Sequence, residues 1–191
     1  MPSATTPLWP RLLWRPITHW RGPAQPPLAL REWLANPGSL TARLIDKSAG
    51  KFDVMVLRQV IGRPSPNECA ALGIRTSDLA LIREVILRGN ARPWVFARSL
   101  LPLSSLTGDL RHLRKQNNRP LGAFLFSQPH LTRSPLEVAR ILPEQGYVPP
   151  ELSDLRVLWG RRSVFRLHGK PLLVSEVFLP DFVASLRREQ A

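Results

Sequence analysis

DLALIREVILRGNARPWVFARSLLP, residues 78–102, decides the fold. Its two halves alternate apolar with polar or charged residues and are rich in Ile, Val and aromatics, and Gly89-Asn90 between them is a turn signal. That pattern is an antiparallel hairpin. A second one follows in LRVLWGRRSVFRLHGKPLLVSEVFLP (155–180), turning at His168-Gly169-Lys170. Upstream, FDVMVLRQV (52–60) alternates and reads as the first strand.

Helical spacing lies between and before these strands. LALREWLA (28–35) ends at Asn36-Pro37-Gly38, and Ser39 is placed to cap a short helix LTARLID. Ser65-Pro66 with Glu68 and Gly73 predicts a capped helix SPNECAALG. SSLTGDLRHLRKQ (104–116) and PLGAFLF carry helical spacing, broken at Asn117-Asn118. Ser134-Pro135-Leu136-Glu137 has the capping-box pattern and predicts a helix SPLEVARIL, followed by a loop over 143–154. Residues 1–27 hold seven prolines and Trp9, Trp14 and Trp20, which excludes a long helix and predicts an extended arm whose indoles pack in part on the body. Sequential hairpins with interspersed helices give an α+β class: a single antiparallel β-sheet with helices packed on one face. With no regular β-α-β alternation, a doubly wound sheet is not expected.

The chain of 191 residues suits one domain, here 28–191 behind the arm, and 43% hydrophobic residues supply a core. Net charge is +13, and 23 of the 27 basic residues are arginines spread along the chain rather than gathered into a tail. This raises an anionic partner, nucleic acid or a small polycarboxylate or phosphate, against the plain alternative of a solvated basic surface. A single cysteine, Cys69, excludes an internal disulfide and fits a reducing cytoplasm. No apolar run reaches 18 residues, and Pro10, Arg11, Arg15 and Pro16 break any secretory segment, so neither a membrane span nor export is expected.

Strand alternation places charges on apolar faces. Arg83 shares its side with Leu79, Leu81, Val85 and Leu87; Arg98 with Trp94, Phe96 and Leu100; Glu176 with Leu172, Val174 and Phe178. Burying an unpaired charge costs several kcal/mol. Either these groups form an internal Arg–Glu bridge with the second arginine reaching the rim, or they line a pocket that desolvates an anion. Elsewhere the signals are weak. The four histidines lack ligand spacing, so no metal is expected. There is no phosphate loop and no GxSxG. Gly160-Arg161-Arg162-Ser163 reads as a solvated strand edge before a ligand site. Nucleic-acid binding rests on charge alone, since the tryptophans form no stacking platform.

LWGRRSVFRLHGKPLLVSEVFLP (158–180) resembles the signature stretch of the chorismate pyruvate-lyases. LIREVIL, PWVFARSLLP, RPLGAFLF and the Trp33-Leu34 to Ser39-Leu40-Thr41 region are similar to further blocks of that family in the same order, together covering about 28–180. The resemblance implies an enzyme that eliminates pyruvate from chorismate to give 4-hydroxybenzoate for ubiquinone, without cofactor or metal, with helical lid segments over the ligand pocket. It implies that Arg83 and Glu176 are catalytic, and that substrate is bound by Leu40, Arg83, Arg98, Leu121 and Glu176, with Leu40 and Leu121 acting through their backbones. The expected partners are chorismate and its product, with no specific nucleic acid, in a cytoplasmic monomer. The alternative it implies is a non-catalytic effector-binding domain, because bacterial transcription regulators use the same fold. The connection from Leu131-Thr132-Arg133 to the signature is longer here than in the familiar enterobacterial form, and the arm matches poorly.

Overall fold

A computed structural model describes residues 12–19, 25–115, 118–154 and 156–188. Its strands are β1 (Arg15–Pro16), β2 (Phe52–Gly62), β3 (Ala80–Gly89), β4 (Arg92–Pro102), β5 (Thr132–Arg133), β6 (Glu137–Ile141), β7 (Leu158–Leu167) and β8 (Lys170–Phe178). Its helices are α1 (Leu28–Ala35), α2 (Leu40–Lys47), α3 (Pro66–Leu72), α4 (Leu121–Phe126), α5 (Pro150–Ser153) and α6 (Pro180–Arg188). The strands form one antiparallel sheet in the order β1-β6-β7-β8-β4-β3-β2, with β5 also pairing with β7. The α+β class and the single antiparallel sheet are as the hairpins predicted.

The local signals act as expected in several places. Ser39 caps α2 by accepting from the Ala42 N–H, and Ser65 and Glu68 close a reciprocal capping box at α3, which ends on Gly73 in the left-handed region. The tight second hairpin leaves Leu167 opposite Lys170 and runs in unbroken register to Trp159 opposite Phe178. The first hairpin does not. Between Leu87 and Arg88 the register slips by one residue at Trp94, whose indole lies flat on Gly89. A Cβ at position 89 would stand 2.1 Å from Trp94 Cζ3, so only glycine fits under the ring.

Three expectations are corrected. Residues 137–141 are strand β6 rather than part of a helix, because the groups of the apparent capping box have partners across the sheet. The Ser134 hydroxyl accepts from the Val164 N–H at 2.9 Å, and the Glu137 carboxylate binds Arg162 at 2.7 Å. The expected helix over 104–116 is a 3-10 helix over Gly108–Lys115, tucking Leu106, Leu110 and Leu113 against Leu101, Leu167 and Leu172. And helices are not confined to one face. α1, α2, α4 and α6 pack on the side carrying Val85, Ala97 and Phe178, whereas Leu72 of α3 packs on the reverse with Ile82, Leu100, Val164 and Leu173.

The reverse face is also covered by chain from both sides of the sequence. Leu12 and Trp14 are buried there with Phe96, Ile141, Val148 and Val177, and the Arg162 guanidinium sits 4.8 Å from the Trp14 ring centroid. The arm thus packs on the body as far as it is described; Trp9 and Trp20 lie outside the described residues. α6, whose opening Pro180-Asp181 and closing Arg187-Arg188 are helix signals the sequence reading passed over, inserts Phe182 among Trp33, Trp94 and Phe178, with ring centroids 4.8–5.6 Å away. Each such pair contributes about 0.5–1.5 kcal/mol beyond the area it buries. Among the described residues no helix is long and apolar enough to cross a membrane.

Candidate active site

Beneath α2 and α4 the sheet leaves a cavity whose floor is built from six strands, β2 contributing Val54. β3 contributes Arg83, Val85 and Leu87, β4 Ala97 and Ser99, β8 Val174 and Glu176, β7 Arg161 and Phe165, and β5 Arg133. The roof is Gly38, Leu40 and Thr41 at the start of α2 with Pro120, Leu121, Gly122, Leu125 and Phe126 of α4. The two roof helices meet closely at Gly122, where a Cβ would stand 3.0 Å from Thr41 Oγ1. The space open to the centre of a water molecule is about 30 Å³, room for about two waters at roughly 10–15 Å³ each.

The chemistry of the floor is set by its charges. Arg161, with a side chain 1% exposed, donates from Nε to Glu176 Oε2 at 2.7 Å, and from Nη1 to the carbonyls of Trp33 and Asn36 at 2.8 and 2.6 Å. Those two carbonyls lie at the end of α1, so the same guanidinium ties the helical layer to the sheet. Arg83, 2% exposed, reaches the Arg119 carbonyl at 3.4 Å, and burial lowers its pKa from the ordinary arginine value. Arg133 donates from Nε to Ser163 Oγ at 2.7 Å and from Nη1 to the Pro37 carbonyl, and lies 4.8 Å from the Phe165 ring centroid. Its pKa is pushed down to about 10, mainly by burial and then by the neighbouring Arg161 cation, with Glu176 opposing. It remains a cation at neutral pH. Three guanidinium groups and one carboxylate line the cavity, a surplus of two positive charges suited to a dianion.

Arg83, Glu176, Leu40 and Leu121 are brought together here. Arg98 is not. Because of the slip at Trp94, Arg98 stands opposite Glu84 and Ser175 on the reverse face. It donates to Glu68 at 2.8 Å from Nε and 3.2 Å from Nη2, and to Glu84 from Nη1. These two carboxylates raise its pKa above the ordinary arginine value against the lowering by burial. A ligand role in the cavity is corrected for Arg98: the sheet itself separates it from the site, and two glutamates already hold its guanidinium.

Two residues escaped the sequence reading. Arg161 is not on a solvated edge, since β6 lies beside β7 and makes it an inner strand. Its signal was available: alternation sets Arg161 on one face with Trp159 and Phe165, and the hairpin register puts it directly opposite Glu176. Arg133 sits on a two-residue strand, too short for any periodicity to show.

A sequence profile described as chorismate lyase matches residues 9–187. The chain belongs to the chorismate lyase family. It is 48% identical to the "Probable chorismate pyruvate-lyase" of Azoarcus sp. (strain BH72), over 79% of this chain and 84% of that protein. It is 43% identical to the protein of the same name in Aromatoleum aromaticum, over 82% and 88%. The chain is accordingly an enzyme of the lyase class. Among solved structures the effector domain of PhnF from Mycobacterium smegmatis superposes with a TM-score of 0.54 at 14% identity, over 75% of this chain and 90% of that one. A GntR-family transcriptional regulator from Bacillus cereus gives 0.52 at 14%, over 69% and 93%. At such identities the likeness is one of fold.

Proposed function

We propose that the protein converts chorismate to 4-hydroxybenzoate and pyruvate in the cavity under α2 and α4, supplying the 4-hydroxybenzoate used for ubiquinone. The observation that carries this reading is the set of Arg83, Arg133, Arg161 and Glu176 lining one cavity, the first and third buried and the other two half-buried, whose two surplus positive charges match the two carboxylates of chorismate. In the reaction the C4–H bond breaks and its electron pair becomes part of the aromatic ring. The C3–O bond breaks with its pair passing to the enolpyruvyl oxygen, and a proton taken up at the methylene carbon completes pyruvate. Aromatisation drives the step, so the protein's task is to hold the reacting groups in line and to stabilise charge on the departing oxygen.

Arg83 holds the ring carboxylate in this account. Glu176 accepts the hydrogen bond of the C4 hydroxyl, and Arg161 fixes its carboxylate in place through the 2.7 Å bridge. The apolar surfaces of Val85, Leu87, Val174 and Phe165 exclude water, which strengthens each of these contacts. No step calls on a metal or an organic cofactor. The test is to follow the ultraviolet absorbance of chorismate after adding the protein. Consumption of chorismate is expected; saturable binding without consumption would instead make the chain an effector-binding domain of the same fold.

A further inference from the structure

We infer that Arg133 grips the enolpyruvyl carboxylate and is the residue by which the site tells the dianionic substrate from the monoanionic product. This rests on the reading of the cavity as a chorismate site. Arg161 has its charge matched within the protein by Glu176. Arg133 is different. Its partners among the described residues are neutral: the Ser163 hydroxyl, the Pro37 carbonyl and the faces of Phe165 and Phe126. No carboxylate of the described residues lies within salt-bridge distance of it. A half-buried cation in a cavity wall, held by neutral groups, is a preformed receptor for an anion. The aromatic faces steady its plane and leave the guanidinium edge for hydrogen bonds.

Its position says which anion. In the sheet register Arg83 stands opposite Ser99, Ser99 opposite Val174, and Val174 opposite Ser163, the residue that holds Arg133 Nε. Three strand spacings separate the two ends of that row, about 14 Å at roughly 4.8 Å each. Glu176 projects from β8 between them, two residues along from Val174. A ring whose carboxylate is held by Arg83 and whose opposite hydroxyl meets Glu176 carries its C3 ether next to that hydroxyl, and of the two orientations about that axis the one this inference assigns turns the ether towards Arg133. Once the C3–O bond breaks, the ring product keeps its contacts with Arg83 and Glu176 and has none with Arg133.

The test pairs two measurements on Arg133→Gln: kcat/KM for chorismate, and the Kd of 4-hydroxybenzoate in the absence of substrate. The expected result is a loss of at least about tenfold in the first and a change of less than about twofold in the second. Arg133→Lys, which keeps the charge without the planar fork, should fall between wild type and Arg133→Gln for chorismate and match wild type for product. It carries the test alone if the glutamine variant does not fold. Equal weakening for both ligands would overturn the inference by placing Arg133 on the ring carboxylate or in the scaffold. Unchanged chorismate kinetics would overturn it as well. Wild-type protein that leaves chorismate intact would fell the underlying reading, an outcome visible before any variant is made.

Discussion

Replacing Glu176 by Gln tests the bridge and the pocket in one molecule. The carboxylate touches Arg161 at 2.7 Å, and the two side chains are 15% and 1% exposed. Removing one partner of a buried ion pair costs about 3–5 kcal/mol, because the other charge stays behind. Arg161 keeps the Trp33 and Asn36 carbonyls, and the glutamine oxygen can still accept from Nε, so the lower end applies, about 3 kcal/mol. In a chain of this length that is a fall of ~6–12 °C in Tm. The cavity would then hold three cations and no anion, so 4-hydroxybenzoate should restore part of the lost stability if the variant still binds it. Turnover should fall sharply, since a neutral amide stands where the hydroxyl expects a carboxylate. The assay is thermal unfolding with and without 4-hydroxybenzoate, beside chorismate turnover in the cold. A Tm within about 2 °C of wild type would refute the argument that the bridge carries net stability. Early melting with wild-type turnover would confine Glu176 to the bridge.

Other substitutions separate the two faces of the sheet. Arg83→Lys keeps a charge but loses the two-pronged donor set, and should lower kcat/KM by at least about tenfold, or about 1.4 kcal/mol; near-normal kinetics would make Arg83 structural. Arg98→Met leaves Glu68 and Glu84 without their shared cation on the reverse face. It should destabilise by about 3–5 kcal/mol, read by denaturant unfolding, with KM for chorismate unchanged below the transition. A raised KM in well-folded Arg98→Met would return Arg98 to the substrate.

Both hairpins were legible, because turn residues and alternation are local properties. What alternation could not see was one extra residue. Had β3 and β4 run without the slip at Trp94, the pairing of Gly89 with Arg92 would place Arg83 opposite Arg98 on the same face. The slip moves Arg98 across the sheet to Glu84, and nothing in RGNARPWVF announces it except that Gly89 is the residue able to lie under an indole. The second hairpin has no slip, so counting back from His168-Gly169 pairs Arg161 with Glu176, and that contact was readable from sequence. It was missed because SPLEVARIL resembled a capped helix, which left β7 as an edge. The hydroxyl and carboxylate that would have closed the capping box were claimed by Val164 and Arg162, long-range partners that local pattern does not contain. Arg133 came from a two-residue strand that only tertiary packing defines, whereas α6 carried local signals, Pro180-Asp181 at its start and Arg187-Arg188 at its end, that were readable and passed over.

The most direct measurement is the product balance of the wild-type protein incubated with chorismate in the presence of a chelator, resolved by chromatography. The account predicts one 4-hydroxybenzoate and one pyruvate for each chorismate consumed, at a rate the chelator does not change. Absence of 4-hydroxybenzoate, or activity that vanishes with chelator and returns with a divalent ion, would contradict it.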